Sequence, residues 1–240
     1  MRLGFSGPPL YRMLKTTLVP PINAVYRPTV EGEDNVPASS GAVLAANHLS
    51  FVDSVFVPAA VDRTVYYLGK LDYFHGLGRH FFENVGVIPI DRAGGSRSEA
   101  SLRRGQQILE KGGLLGMYPE GTRSPDGRLY RGKTGPVRLA LRAGVPVVPI
   151  GLIGTREVMP PGARRPRIAT VRVRFGAPLR TDRIDGYDED SDLARRLTDS
   201  LMYEIMVLSG QGYVDVYSSE VKSGQADVSD DGGDGYEAAG

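Results

Sequence analysis

Asn47-His48-Leu49-Ser50-Phe51-Val52-Asp53 sets an imidazole and a carboxyl group five residues apart, directly after a short apolar run at residues 41–46. Histidine is the side chain whose ordinary pKa, about 6.5, lets it take up a proton near neutrality. A carboxylate on one imidazole nitrogen fixes the tautomer and leaves the other nitrogen free as a general base. Five positions on an ideal helix turn through about 140°, so the two side chains would not share a helical face. Their contact requires a turn, with His48 in a strand-to-helix loop and Asp53 in the first helical turn. The nucleophile need not belong to the protein, since a substrate hydroxyl deprotonated by His48 can attack an acyl thioester directly. On spacing alone a second reading stays open: a loop histidine beside an acid that sits at a helix N-terminus.

Three further segments end apolar runs in chemistry-bearing residues. Tyr118-Pro119-Glu120-Gly121-Thr122-Arg123-Ser124 combines a tight turn with a fixed cation suited to phosphate. Its other reading is a charged turn paired internally. Gly86-Val87-Ile88-Pro89-Ile90-Asp91-Arg92 closes on an acid and a base, which elsewhere form internal ion pairs. Val145-Pro146-Val147-Val148-Pro149-Ile150-Gly151 is apolar with two prolines. Proline cannot donate to a sheet ladder, so this strand is expected at an edge or walling a cleft.

The elements that must hold these residues alternate along the chain. Strands are expected at residues 41–46, 65–68, 85–90, 114–118, 145–151 and 170–175, the last with Val171, Val173 and Phe175 opposed to Arg172 and Arg174. Helices are expected at 98–111, closed by Gly112 and Gly113, at 136–142, stopped by Gly144, and at 192–208. The alternation predicts an α/β fold with a mostly buried mixed sheet flanked by helices. Loops at the carboxyl ends of such strands are where α/β proteins seat ligands.

Ahead of this domain, residues 1–27 read as an amphipathic segment. Leu10, Met13, Leu14 and Leu18 recur at helical spacing around Arg12 and Lys15, and Pro20 and Pro21 divide the stretch into two short pieces. A helix packed on its own core and an in-plane membrane anchor fit this pattern equally. Residues 28–217 form the α/β domain. Residues 218–240 are Gly, Ser and acid and are expected to be disordered.

Composition narrows the classes. With 41% hydrophobic and 24% charged residues, the chain is an ordinary globular one. The absence of cysteine removes a disulfide framework, a cysteine-bound zinc and a cysteine nucleophile together. Net charge is +1, but six acids against one lysine give residues 218–240 a charge of −5, leaving +6 on residues 1–217. A mildly basic body suits anionic substrates or an anionic lipid surface, and no basic-aromatic cluster points to nucleic acid. No apolar run reaches the roughly 18 residues of a spanning helix. The N-terminal stretch lacks the apolar core of a signal peptide, so a cytoplasmic location is expected.

In order and spacing, NHLSFVD, GVIPIDR, YPEGTRS and VPVVPIG resemble the four blocks of the glycerolipid acyltransferase family, which includes the 1-acylglycerol-3-phosphate acyltransferases. The resemblance covers roughly residues 25–180. It implies His48 as general base and Asp53 as its orienting partner. It implies Glu120, Gly121, Thr122 and Arg123 as the acceptor-binding block, Arg92 as a phosphate-binding arginine and Lys70 as a further phosphate contact. Tyr118 stands where Phe is commoner, and Pro89 lies inside the second block.

The implied reaction moves a fatty acyl group from acyl-CoA or acyl-carrier protein to the free hydroxyl of 1-acylglycerol 3-phosphate, giving phosphatidic acid. Other acceptors, glycerol 3-phosphate or a lysophospholipid, remain alternatives, as does a lipid-binding member of the fold without catalysis. No metal or resident cofactor is implied, since the acyl thioester enters as a co-substrate. Backbone N–H groups near the His48 loop are expected to serve the oxyanion. A peripheral or monotopic seat on the cytoplasmic face of the cell membrane follows from the lipid substrates and the N-terminal segment.

Overall fold

The computed structural model describes residues 7–70, 81–82, 84–90, 96–181 and 191–226, apart from the side chains of Lys70, Ile90, residues 96–99 and Ser191. The main sheet contains β1 (Thr29–Glu31), β2 (Ala42–Ala46), β3 (Val65–Lys70), β4 (Val87–Ile90), β5 (Leu114–Met117), β7 (Val147–Ile153) and β8 (Arg172–Phe175). Their order across the sheet is β1-β8-β7-β2-β5-β3-β4. Neighbours run parallel throughout except β7 and β8, which are antiparallel, so the sheet is mixed as the sequence pattern predicts.

Continuous apolar runs form the central strands because both faces are covered. Alternate residues of β2 serve opposite sides. Leu44 and Ala46 join Ile150, Leu152, Val173 and Phe56 in one core, and Val43 and Ala45 join Leu109, Leu115, Val137, Leu201 and Ile205 in the other. The first core lies under α1 (Pro9–Tyr26) and α2 (Asp53–Ala59). The second lies under α3 (Ser96–Glu110), α4 (Gly135–Ala143) and α6 (Ser191–Ser209). Between them in sequence, α5 (Thr155–Val158) follows β7 directly.

Three expectations change. The proline-bearing strand is not at an edge, because β7 is interior, between β8 and β2. A residue's N and O face the same neighbouring strand. Pro149 accepts a hydrogen bond from Gly176 N at 2.9 Å, one residue past the end of β8, so its missing donor faces the point where that strand stops.

The second change concerns α1, which is a single 18-residue helix that runs through Pro20 and Pro21. Tertiary contacts hold it on both sides of the pair. Val65 N donates to the Tyr11 hydroxyl at 3.1 Å and Lys15 Nζ to the Val61 and Arg63 carbonyls. Beyond the prolines, Ile22 and Tyr26 pack on the core, the Tyr26 ring meeting Phe56 edge-on at 5.4 Å.

The third change is at residue 218. There the chain forms a short helix, α7 (Ser218–Lys222), with Ser218 fully buried, and the described structure continues to residue 226. Just before it, β9 (Tyr213–Val214) pairs in parallel with β6 (Leu129–Tyr130) in a second, two-stranded sheet. Composition missed this order because it comes from partners distant in sequence.

Candidate active site

Sheet register brings the two chemistry-bearing loops together. β2 and β5 are adjacent and parallel, with Ala45 opposite Met117, so the chains leaving them at Asn47 and Tyr118 emerge side by side at the carboxyl end of the sheet. The loop after β2 turns at once into α2, and Asp53 is its first helical residue.

Asp53 is fully buried, and one of its oxygens collects three donors. Oδ2 lies 2.8 Å from His48 Nδ1 and accepts from Leu49 N at 2.7 Å and Ser50 N at 2.8 Å. Oδ1 is buried without a hydrogen-bond partner among the described residues. Because Oδ2 already accepts two backbone N–H groups, the His48 contact is completed by a proton on Nδ1, which leaves the lone pair on Nε2. The imidazole is 17% exposed, enough to be reached from outside. Its plane is fixed by Tyr118, whose ring stacks on it at 3.8 Å and 10°. The Tyr118 hydroxyl shares a 2.8 Å hydrogen bond with Ser54 Oγ, and burial raises its pKa.

The sequence groups Glu120 with the acceptor-binding residues, and the structure gives it a different task. Its carboxyl group is buried, and its two oxygens accept His48 N at 2.8 Å and Tyr130 N at 3.1 Å. Glu120 therefore positions the His48 backbone. Burial, partly offset by those two hydrogen bonds, pushes its pKa up to about 8. Ser124 N closes the second link by donating to the His48 carbonyl at 2.7 Å, so both backbone groups of His48 are held by the 118–124 loop. These bonds also narrow the expected oxyanion donors. The N–H groups of His48, Leu49 and Ser50 are all spent on carboxyl oxygens inside the site.

Gly121 makes the turn at φ +73°, where a side chain is strained, and its N–H donates to the Tyr118 carbonyl at 2.9 Å. A Cβ there would stand 3.4 Å from the Lys133 Cδ and Cε atoms, so the Lys133 stem lies along this turn. Arg123 is exposed, and its guanidinium makes no hydrogen bond or ion pair among the described residues. Thr122 Oγ1 accepts from Lys222 Nζ at 2.9 Å. The Lys70 side chain and Arg92 lie outside the described residues.

Sequence reasoning missed three participants. Asn47 is buried and grips β7 in both directions, its Nδ2 donating to the Leu152 carbonyl at 2.9 Å and its Oδ1 accepting Leu152 N at 2.7 Å. It also donates to Gln211 Oε1 at 2.7 Å. Asn47 stands inside the NHLSFVD block, but nothing local distinguishes a clamp from a turn residue. Tyr118 is visible as a strand end and not as a stacking partner. Lys133 is separated from the turn it covers by a loop and β6.

The site is therefore an imidazole of fixed tautomer and plane, adjoining a cationic turn. Comparisons with known proteins agree with that class. The family described as Acyltransferase matches residues 27–153, and the chain belongs to this family. It is 35% identical over 140 residues to a chloroplastic 1-acyl-sn-glycerol-3-phosphate acyltransferase of Arabidopsis thaliana, covering 58% of this chain and 39% of that one. It is 32% identical over 170 residues to a 1-acyl-sn-glycerol-3-phosphate acyltransferase of Limnanthes alba, covering 68% and 60%. The chain thus spans less than two thirds of these relatives' lengths. The fold is shared with the crystal structure of the 1-acyl-sn-glycerophosphate (LPA) acyltransferase PlsC from Thermotoga maritima, at a TM-score of 0.58 and 22% identity over 79% of this chain and 82% of that one.

Proposed function

We propose that this chain transfers a fatty acyl group from a thioester donor, acyl-CoA or acyl-carrier protein, to the free hydroxyl of 1-acylglycerol 3-phosphate, producing phosphatidic acid. The observation that carries the reading is the 2.8 Å contact between His48 Nδ1 and Asp53 Oδ2, which leaves Nε2 available as a base. In this mechanism Nε2 accepts the proton of the acceptor hydroxyl as its oxygen attacks the thioester carbonyl. The imidazolium that forms is stabilised by Asp53, and its proton then goes to the departing thiolate. Arg123, free of internal partners among the described residues, and Lys133 supply cations for the acceptor's phosphate. Holding that phosphate orients the hydroxyl toward His48. Arg92 and Lys70 are proposed as further phosphate contacts on the family resemblance alone. The chemistry assigns no step to a metal or resident cofactor.

Membrane contact is part of the same reading. Among the described residues no helix is long and apolar enough to cross a bilayer. Along α1, Met13, Leu18 and Val25 are each about half accessible, while Tyr11, Ile22 and Tyr26 pack on the body. A surface helix that leaves apolar side chains half exposed beside Arg12 suits in-plane contact with a lipid surface, here assigned to the cytoplasmic face of the cell membrane.

The test is an acceptor panel with one acyl-CoA: 1-acylglycerol 3-phosphate, glycerol 3-phosphate, lysophosphatidylcholine, monoacylglycerol and no acceptor, with products identified by mass spectrometry. Phosphatidic acid formed fastest from 1-acylglycerol 3-phosphate supports the reading. Thiol release at the same rate without acceptor would make the chain a thioester hydrolase.

A further inference from the structure

We propose that Lys222 is a phosphate-binding residue of the acceptor site, brought there by a C-terminal strap, residues 210–226, that lies beyond the matched family domain. The inference rests on the acyl-transfer reading for the identity of the ligand, and on geometry for the site itself. The strap is fastened along the loop that carries Arg123. Leu129 N donates to the Gly212 carbonyl at 2.9 Å, and Arg131 N to the Val214 and Val216 carbonyls at 3.1 Å. The Arg131 guanidinium lies 5.5 Å from the centre of the Tyr217 ring. At its start, Gln211 Nε2 donates to the Gly127 carbonyl at 2.6 Å.

The strap delivers an ammonium group to the turn. Lys222 Nζ donates to Thr122 Oγ1 at 2.9 Å and to the Arg123 carbonyl. An ammonium has three donors, and the third has no partner among the described residues. Lys222 is exposed, so that donor is open to a ligand from solvent. The Arg123 guanidinium is close enough for its charge to depress the Lys222 pKa, after the larger effect of burial. The fold thus sets two cations against each other. Among the described residues the acid acting on Lys222 is Glu120, which is buried, turned toward His48 N and Tyr130 N, and pushed by burial to a pKa of about 8. A phosphate dianion between the two cations converts their repulsion into attraction, and charge-assisted hydrogen bonds to it are strong.

A staple that merely fixed the turn would act differently from a ligand contact, and the experiment separates them. Lys222→Met and Lys222→Arg are compared with the wild-type chain in steady-state kinetics and in calorimetric binding of glycerol 3-phosphate. The expected result for Lys222→Met is a rise of about ten- to a hundredfold in the acceptor KM, the loss of one charge-assisted hydrogen bond. The KM of the acyl donor should stay within twofold, and kcat should fall less than the acceptor KM rises. Glycerol 3-phosphate should bind correspondingly more weakly, and Lys222→Arg should restore most of both losses. Unchanged glycerol 3-phosphate affinity in Lys222→Met overturns the proposal, as does a loss confined to kcat and melting temperature. The binding arm does not depend on turnover. A wild-type chain that binds glycerol 3-phosphate through Lys222 yet transfers no acyl group to 1-acylglycerol 3-phosphate would sink the catalytic reading and leave this one standing.

Discussion

Replacing Asp53 by asparagine tests how the site sets its tautomer. In a triad where the carboxylate meets the imidazole alone, an amide can turn its NH2 toward the ring and force the wrong tautomer, at a cost of roughly 10⁴ in rate. Here the same oxygen also receives Leu49 N and Ser50 N. An amide that presented its NH2 would leave both backbone N–H groups buried and unsatisfied, each at about 1–3 kcal/mol. The asparagine must therefore place its oxygen where Oδ2 lies, and Nδ1 of His48 keeps its proton. What is lost is charge. A hydrogen bond to a charged group contributes about 1.5–3 kcal/mol and a neutral one about 0.5–1.5, a difference near 1.5 kcal/mol or about tenfold in rate. An upper bound comes from two unit charges about 4 Å apart at an effective dielectric of about 20, roughly 4 kcal/mol or about a thousandfold. Asp53→Asn should thus fold and lose about ten- to several hundredfold in kcat for acyl transfer to 1-acylglycerol 3-phosphate. The assay is thiol release under saturating substrates, with circular dichroism to establish the fold. A folded variant slowed by 10⁴ would mean that the amide had flipped, and one slowed less than threefold would mean that the carboxylate is dispensable. Either would refute the reasoning.

Glu120 should make stability depend on pH in a recognisable direction. Its folded pKa of about 8 exceeds the ordinary 4.5, so its contribution is fully present below pH 4.5 and is lost as pH rises toward 8. Glu120→Gln cannot ionise, and it sets its NH2 against one of the two backbone donors at a cost of about 1–3 kcal/mol. Urea midpoints should therefore show a penalty at pH 5 that shrinks by pH 8, and a penalty that grows with pH would show that the buried carboxyl is ionised. On α1, changing Met13 and Leu18 together to serine should weaken sedimentation with anionic liposomes several-fold with little change in melting temperature, because both side chains are about half exposed. Unaltered liposome binding would move the membrane contact away from these two side chains.

Legibility followed distance along the chain. The central strands were readable because a strand buried on both faces is a continuous apolar run, as in Ala42–Ala46 and Val147–Ile153. The 48–53 turn was readable because both partners lie inside one short segment and the contact needs only a strand-to-helix junction. The strand content of Val147–Ile153 was legible while its place was not, since the rule that sends proline to an edge does not foresee a neighbour that ends opposite Pro149. Composition misjudged residues 218–226 for a related reason. Ser218, Ser219 and Glu220 carry no apolar period, and their order comes from a turn about 100 residues earlier. Lys222 meets Thr122 across 100 residues, and Asn47 meets Leu152 across 105. Glu120 looked like a ligand contact because a buried acid and an exposed one have the same letter. Only the burial and the two backbone donors separate them.

The bond from Asn47 to Gln211 also sets an order of assembly. Asn47 is the residue before the proposed base, and its partner lies 164 positions further on. The seven described strands of the main sheet fall within residues 29–175. On the ribosome, those strands leave the tunnel well before Gln211 and Lys222 do. A nascent chain that has emerged only to about residue 180 can pair its strands while the loops that carry His48 and Arg123 still lack their late fastenings. Such distant contacts form slowly, because the loop must close before the bond rewards it. Competence for chemistry therefore trails the backbone topology in time. A growing chain passes through a stage in which the sheet exists and the reactive edge is still unlatched.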